Sequence, residues 1–295
     1  MQNVTPLAVT ALVAELSVAA GFAFAAERIA RIVQKWPLAV QTSVPAFLVL
    51  PYVLVSASQH SFRWQWFAIY AALPIVMAWL LGQAAIADPA QRGDWRDALI
   101  LLTLGVAVDL RWFDSAWPHG FEALGKILLV DAGLYGFLAL RELTGTGFDL
   151  RLKWSDWKTG LCELAFFTPP VLVFGLALGF VHPHANLPSL GSALLRWVGI
   201  FFFIAIPEEL FFRAWVQNLL ERRLGRNDAL VIASILFGLS HFNKRNVIGA
   251  HFNWRYVILA TIAGIFYGRA WREQNRVPAS TITHTFVDWI WSWWF

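Results

Sequence analysis

An all-α, polytopic transmembrane helix bundle is the fold class this sequence predicts, and three observations predict it. Charged residues make up 14% of the 295 positions and hydrophobic ones 58%, whereas a soluble domain carries about 25% charged residues. The apolar residues fall in repeated blocks of about 20, the length that crosses the hydrocarbon of a bilayer as a helix. Seventeen tryptophans suit a membrane protein, because indoles settle at the headgroup level. A soluble protein of this composition would lack the polar residues to cover its surface.

The blocks run in order as Pro6–Ala26, Leu38–Ser56, Trp66–Ala87, Ala98–Leu110, Phe121–Leu140, Gly160–Val181, Leu190–Leu220, Ala229–His241, Trp254–Trp271 and Ala279–Phe295. They predict roughly 8–10 spans with an intramembrane cavity. The fourth and eighth are short for a full crossing at about 1.5 Å per residue. The fourth ends in Asp109 and Arg111, which suits a re-entrant or interfacial segment. Met1–Pro6 holds neither Lys nor Arg, so the first block is expected to remain a span, since a cleavable signal has a basic start. Cys162 is the one cysteine; it excludes an intramolecular disulfide framework or cysteine zinc cluster and reads as a small buried residue. The tail Trp289–Phe295 reads as an aromatic belt closing the last span.

Residues 141–159 are the longest polar connection. They divide a first part, residues 1–140, of transmembrane helices without distinctive chemistry from a second, 160–295, that carries every residue singled out below. In alternate connections the basic residues cluster as Arg28, Arg31 and Lys35; Arg92 and Arg96; Arg141, Arg151, Lys153 and Lys158; Arg222, Arg223 and Arg226; and Arg269, Arg272 and Arg276. The positive-inside rule puts these in the cytoplasm. Both termini, His241 and the loop Phe242–Asn253 then face outward. A net charge of +4 follows from these loops and calls for no nucleic-acid partner.

Pro207-Glu208-Glu209-Leu210-Phe211-Phe212-Arg213 lies inside an apolar block, where ionisable groups are costly and mark a working site by default. Glu209 and Arg213 are four apart, acid first, and so pair on one helix face. Glu208 points about 100° away and is left without that partner, as a general base requires. The alternative is a purely structural ion-pair network of all three. His241 closes the eighth block, and His284 and Asp288 share a face of the last span at the same spacing of four. Helix rise puts Glu208 and His241 each about 20 Å from the cytoplasmic helix ends, and Asp288 about 15 Å, so they can meet. Glu15, Asp109, Lys126, Asp131, Glu163 and Arg196 belong to no such constellation and read as structural; Lys126 and Asp131 pair within one helix or face the interior.

Glu208-Glu209-x-x-x-Arg213, Phe237-x-x-x-His241 and His284-x-x-x-Asp288 together resemble the three motifs of the CPBP family. These are the CAAX proteases and bacteriocin-processing (Abi) enzymes, or intramembrane glutamic endopeptidases, among them the Ras-converting CAAX endopeptidase. The likeness covers Trp197–Asp288. It implies that Glu208 activates a water, that His241 holds and polarises it, and that His284 and the residue at 288 stabilise the oxyanion. Glu209, Arg213 and Phe237 would support the site. The third motif ends in Asn or Asp. An ionised aspartate only accepts hydrogen bonds, so Asp288 either keeps its proton or orients His284 by accepting its ring N–H, the preferred reading.

The expected activity is an intramembrane endopeptidase cutting near a C-terminal or membrane-proximal segment, without cofactor or metal. Its expected partners are a membrane-associated protein or peptide and the lipid bilayer, and its expected location is a bacterial inner membrane. The outward loop favours trimming of exported proteins over cytoplasmic prenylated ones. Three rivals use the same polar groups: a non-catalytic immunity or scaffold protein, an ion-coupled transporter, and a metal hydrolase. No G-x-S-x-G or H-E-x-x-H pattern occurs to favour a serine or zinc route.

Overall fold

A computed structural model of the chain describes residues 5–182, 188–244 and 253–294. Among these residues the regular structure is helical throughout, as the composition predicts. Ten helices follow the ten apolar blocks in order: α1 (Pro6–Val33), α2 (Leu38–Ser58), α3 (Trp64–Ala87), α4 (Trp95–Asp109), α5 (Glu122–Leu140), α6 (Trp154–Ala177), α7 (Leu190–Leu224), α8 (Arg226–Leu239), α9 (Trp254–Gln274) and α10 (Val277–Trp294). Six of them, α1, α2, α3, α5, α6 and α7, are long and apolar enough to cross a membrane. The short fourth and eighth blocks become helices of 15 and 14 residues. In α10 a run of Ser280, Thr281, Thr283, His284 and Thr285 is buried, so its polar groups face protein instead of lipid.

The chain forms two compact units, Met1–Thr144 and Gly145–Phe295. Their divide falls inside the polar connection anticipated at 141–159. That connection is shorter than the sequence suggests. Asp156 accepts from the backbone N–H of Lys153 at 2.8 Å and so starts α6 at Trp154, because a side-chain acceptor there satisfies an orphan helix donor.

In the first unit α2 and α5 pack on α1 around Tyr52, Tyr70, Trp117 and Leu128. At one end the buried Arg141 donates from Nη2 to Asp88 Oδ2 at 2.6 Å and from Nε to Asp97 Oδ1 at 3.1 Å. Glu15 and Asp131 lie deep in this unit, and none of their carboxyl oxygens has a hydrogen-bond partner. Asp131 does not pair with Lys126, whose side chain is exposed.

In the second unit α9 is the hub. It packs on α6, α8 and α10 around Phe167, Phe212, Phe237, Ala260, Ala263 and Tyr267. Its contact with α8 is close because small residues meet there, the usual device of membrane helix pairs. A Cβ added at Gly238 would strike Thr261 Oγ1 and come within 2.6 Å of the Val257 carbonyl, and one at Gly264 would lie 3.0 Å from Ser234 Cα. The turn between α9 and α10 is clasped by residues 145–153. Gly147, at φ +68°, leaves no room for a Cβ beside the Asn275 carbonyl, while Val277 N–H donates to its carbonyl at 2.9 Å. Arg276 completes the clasp by donating from Nε to Asp156 Oδ1 at 2.7 Å. That bond is the first cause holding the Arg276 pKa above its ordinary value.

One expectation changes. Cys162 is exposed on α6, not buried, since an apolar neighbourhood in a membrane helix describes the lipid face as well as the core. In the tail, Trp289 Nε1 donates to the Ala193 carbonyl at 2.8 Å, and the Trp291 ring lies 4.8 Å from that of Phe180. Of the other groups read as structural, Glu163 pairs with Arg269 at 3.1 Å and Arg196 lies over the Trp293 ring. Residues 1–4, 183–187, 245–252 and 295 lie outside the described residues, so the lack of basic residues in Met1–Pro6, most of the loop Phe242–Asn253 and the final aromatic of the tail lie there in part or whole.

Candidate active site

The site begins with an irregularity in α7. Pro207 has no N–H to donate back along the helix and its ring crowds the preceding turn. The helix answers with a stretch of wide, five-residue turns over Phe201–Ala205. After one ordinary turn at Ile206–Glu209 it widens again over Leu210–Gln217. Such bulges are rare and recur at functional sites. They bracket Glu208 and Glu209, the two consecutive carboxylates.

The two carboxylates diverge as the helical rotation requires. Glu209 and Arg213 are fully buried, and Arg213 Nε donates to Glu209 Oε2 at 3.0 Å. The other oxygen, Oε1, accepts from His284 Nδ1 at 2.8 Å. That contact requires the proton on Nδ1, because a carboxylate can only accept. The opposite ring nitrogen, Nε2, lies 3.8 Å from Glu208 Oε2 and 3.5 Å from Asp288 Oδ2. Glu208 keeps 30% of its side chain accessible, and its Oε2 has no hydrogen-bond partner. Its carboxyl is therefore turned to His284 and not locked to a base.

His241 stands just past the end of α8. Its Nδ1 lies 2.8 Å from the Phe237 carbonyl one turn back, so Nδ1 is the donor and Nε2 keeps its lone pair. The Ser240 hydroxyl lies 3.2 Å from the same nitrogen. Glu208 and Asp288 both act on His241 electrostatically, though neither forms an ion pair with it within 4.0 Å. The Phe237 ring sits between the imidazoles, 4.8 Å from His241 and 5.7 Å from His284. Arg213 lies over the same ring at 5.2 Å.

All seven residues singled out in the sequence thus gather at one place: Glu208, Glu209 and Arg213 from α7, Phe237 and His241 from α8 and its end, His284 and Asp288 from α10. Their partners differ from the expectation in one respect. The short orienting contact to His284 comes from Glu209, on another helix, and Asp288 stands at the far nitrogen. The motifs also pass over two aromatics of α9. Tyr267 stacks on His284 with centroids 4.6 Å and planes 16° apart, and Tyr256 meets His241 edge-on at 4.7 Å. Their spacing of eleven, about three helical turns, places them on one face, a periodicity that ordinary core packing shares. Among the described residues, no group of three or more His, Cys, Asp or Glu side chains is arranged to hold a metal ion.

A partly accessible carboxylate with one oxygen free of hydrogen bonds, two imidazoles beside it and a second carboxylate holding one of them in place form a set suited to water-mediated cleavage of a carbonyl. No curated protein and no solved structure matches the chain. Residues 190–290, the stretch that carries all of these side chains, match the family model described as type II CAAX prenyl endopeptidase Rce1-like, in keeping with the resemblance that the three motifs carry.

Proposed function

We propose that the protein is a glutamic intramembrane endopeptidase, hydrolysing a peptide bond near the C-terminal or membrane-proximal segment of a membrane-associated substrate. The observation that carries this reading is the contrast between the two adjacent acids. Glu209 is committed on both oxygens, to Arg213 and His284. Glu208 is accessible and has an oxygen without a donor.

In this reading a water sits between Glu208 and His241. Glu208 takes one proton, and the lone pair on His241 Nε2 accepts the other hydrogen bond. The hydroxide so formed adds to the substrate carbonyl. Negative charge develops on the carbonyl oxygen, where His284 donates from Nε2. Because Nδ1 already donates to Glu209, His284 does this as the imidazolium, and Asp288 and Glu209 balance its charge. Glu208 then passes its proton to the departing amine nitrogen as the C–N bond breaks. Base catalysis of this kind contributes about 10²- to 10⁴-fold, and a preorganised oxyanion donor about 10²- to 10³-fold.

The substrate side follows from the charge asymmetry of the loops, which puts His241 outward and suits the processing or sorting of exported proteins in a bacterial inner membrane. The test is mass spectrometry of membrane proteins from cells carrying the wild-type chain or Glu208→Ala. New C-termini should appear only with the wild-type chain. Identical termini in the two cell lines would overturn the reading.

A further inference from the structure

We propose that Tyr267 is a positioning residue of the same site, fixing the plane of the His284 ring; the proposal rests on the peptidase reading above. The hydrogen bond from Nδ1 to Glu209 fixes one direction in the imidazole. It leaves the ring free to swing about that N–H···O line, and a swing carries Nε2 away from Glu208 and Asp288. The stack removes this freedom. Tyr267 lies parallel to His284 within 16° at 4.6 Å, and the Phe237 ring meets His284 at 90°. One ring stacked on it, another meeting it at 90° and one hydrogen bond leave His284 a single orientation.

Tyr267 can serve as this wall because it is itself immobile. It is 1% exposed. Phe237 meets it at 5.7 Å and Phe167 at 6.5 Å, and the next residue, Gly268, is pressed against Leu230 and Gln217. Off-rotamer or displaced catalytic groups lose rate steeply: a misplacement of about 1 Å can cost about 10²-fold. The ring face, not the hydroxyl, does the holding in this account, so phenylalanine should replace it and an aliphatic residue should not. Residue 267 lies on the one helix of the site that contributes none of its carboxylates, guanidinium or imidazoles.

Two readouts test this on the full-length protein in detergent. The first is NMR of histidine-labelled protein, with the His284 signals assigned by their loss in His284→Gln. The stack predicts ring-proton signals displaced upfield in the wild type and in Tyr267→Phe, and relaxed in Tyr267→Leu. His284 signals at ordinary positions in the wild type overturn the proposal, even if Tyr267→Leu fails to fold. The second is cleavage of a quenched-fluorescent peptide spanning a junction identified from the new C-termini of wild-type cells. Tyr267→Leu should lose about 10- to 100-fold in kcat at unchanged KM, and Tyr267→Phe should stay within about threefold of wild type. Wild-type kcat in Tyr267→Leu overturns the proposal but leaves the glutamate mechanism standing. Full activity in Glu208→Gln beside a slow Tyr267→Leu does the reverse.

Discussion

Glu209 and His284, 75 positions apart, are joined by a 2.8 Å hydrogen bond inside the protein. The bond ties α7 to α10 and gives the second acid of the Glu-Glu pair a task different from the first. Its other oxygen is held by Arg213, so the three side chains form one buried relay of charge. A buried ion pair broken on one side leaves an uncompensated charge, at a cost of about 3–5 kcal/mol.

Arg213→Leu should therefore unfold the protein at much lower temperature than wild type, by that order of free energy. The double variant Glu209→Leu/Arg213→Leu removes both charges and should recover most of the loss, since well-packed apolar replacements of buried pairs are often neutral. It should remain inactive, because His284 has lost its anchor. Thermal melting in detergent, combined with a cleavage assay, checks both halves. A double variant no more stable than the single one would show that the pair does not act as a unit.

Close approach of α8 and α9 sets where Phe237 and His241 stand. Gly238 lies between them on the chain and has no space for a methyl group against Thr261 and Val257. Gly238→Ala should cost about 1–3 kcal/mol by overpacking and lower turnover together with stability. Differential scanning fluorimetry reads the first effect. A variant of unchanged melting temperature would mean that the helices do not meet as closely as described.

Acid should loosen the protein at two places outside the spans, the end of α3 at Asp88 and the irregular segment holding Asp149. Burial raises the pKa of Asp88, but backbone N–H groups of Arg92 and Gly93 and the Arg141 guanidinium outweigh it, so the net shift is downward. In Asp149 burial is likewise outweighed, by Arg151 and Arg276. A carboxyl whose folded pKa lies below its unfolded value of about 3.9 stabilises the fold above that value. The contribution is lost as pH falls through the folded pKa. Melting temperature should hold from neutral pH to about 4 and then fall. Asp88→Asn and Asp149→Asn should lower the neutral-pH value and flatten the acid limb; an unchanged acid limb in both would contradict the assignment.

Much of this was legible in the sequence because charge is conspicuous in an apolar helix. The Glu-Glu-x-x-x-Arg run, the two histidines and Asp288 stood out for that reason, and ten apolar blocks became ten helices in order. What stayed hidden shares a physical cause. Tyr256 and Tyr267 are aromatics among aromatics, and only three-dimensional contact separates a wall of the site from ordinary core packing. Cys162 shows the same ambiguity from the other side, because lipid and protein interior select the same side chains. The Glu209–His284 bond is a long-range pairing that helical spacing cannot signal. Glu15 and Asp131 were visible as odd residues, but their mutual proximity came only with the packing of α1 on α5.

The most direct test of the glutamate mechanism is the turnover of purified Glu208→Gln. The substitution keeps the shape of the side chain and removes its ability to take a proton. On the quenched-fluorescent peptide spanning a mapped cleavage junction it should be slower than wild type by about 10²-fold or more, with an unchanged melting temperature. Cleavage by Glu208→Gln at the wild-type rate would contradict the assignment of Glu208 as the base.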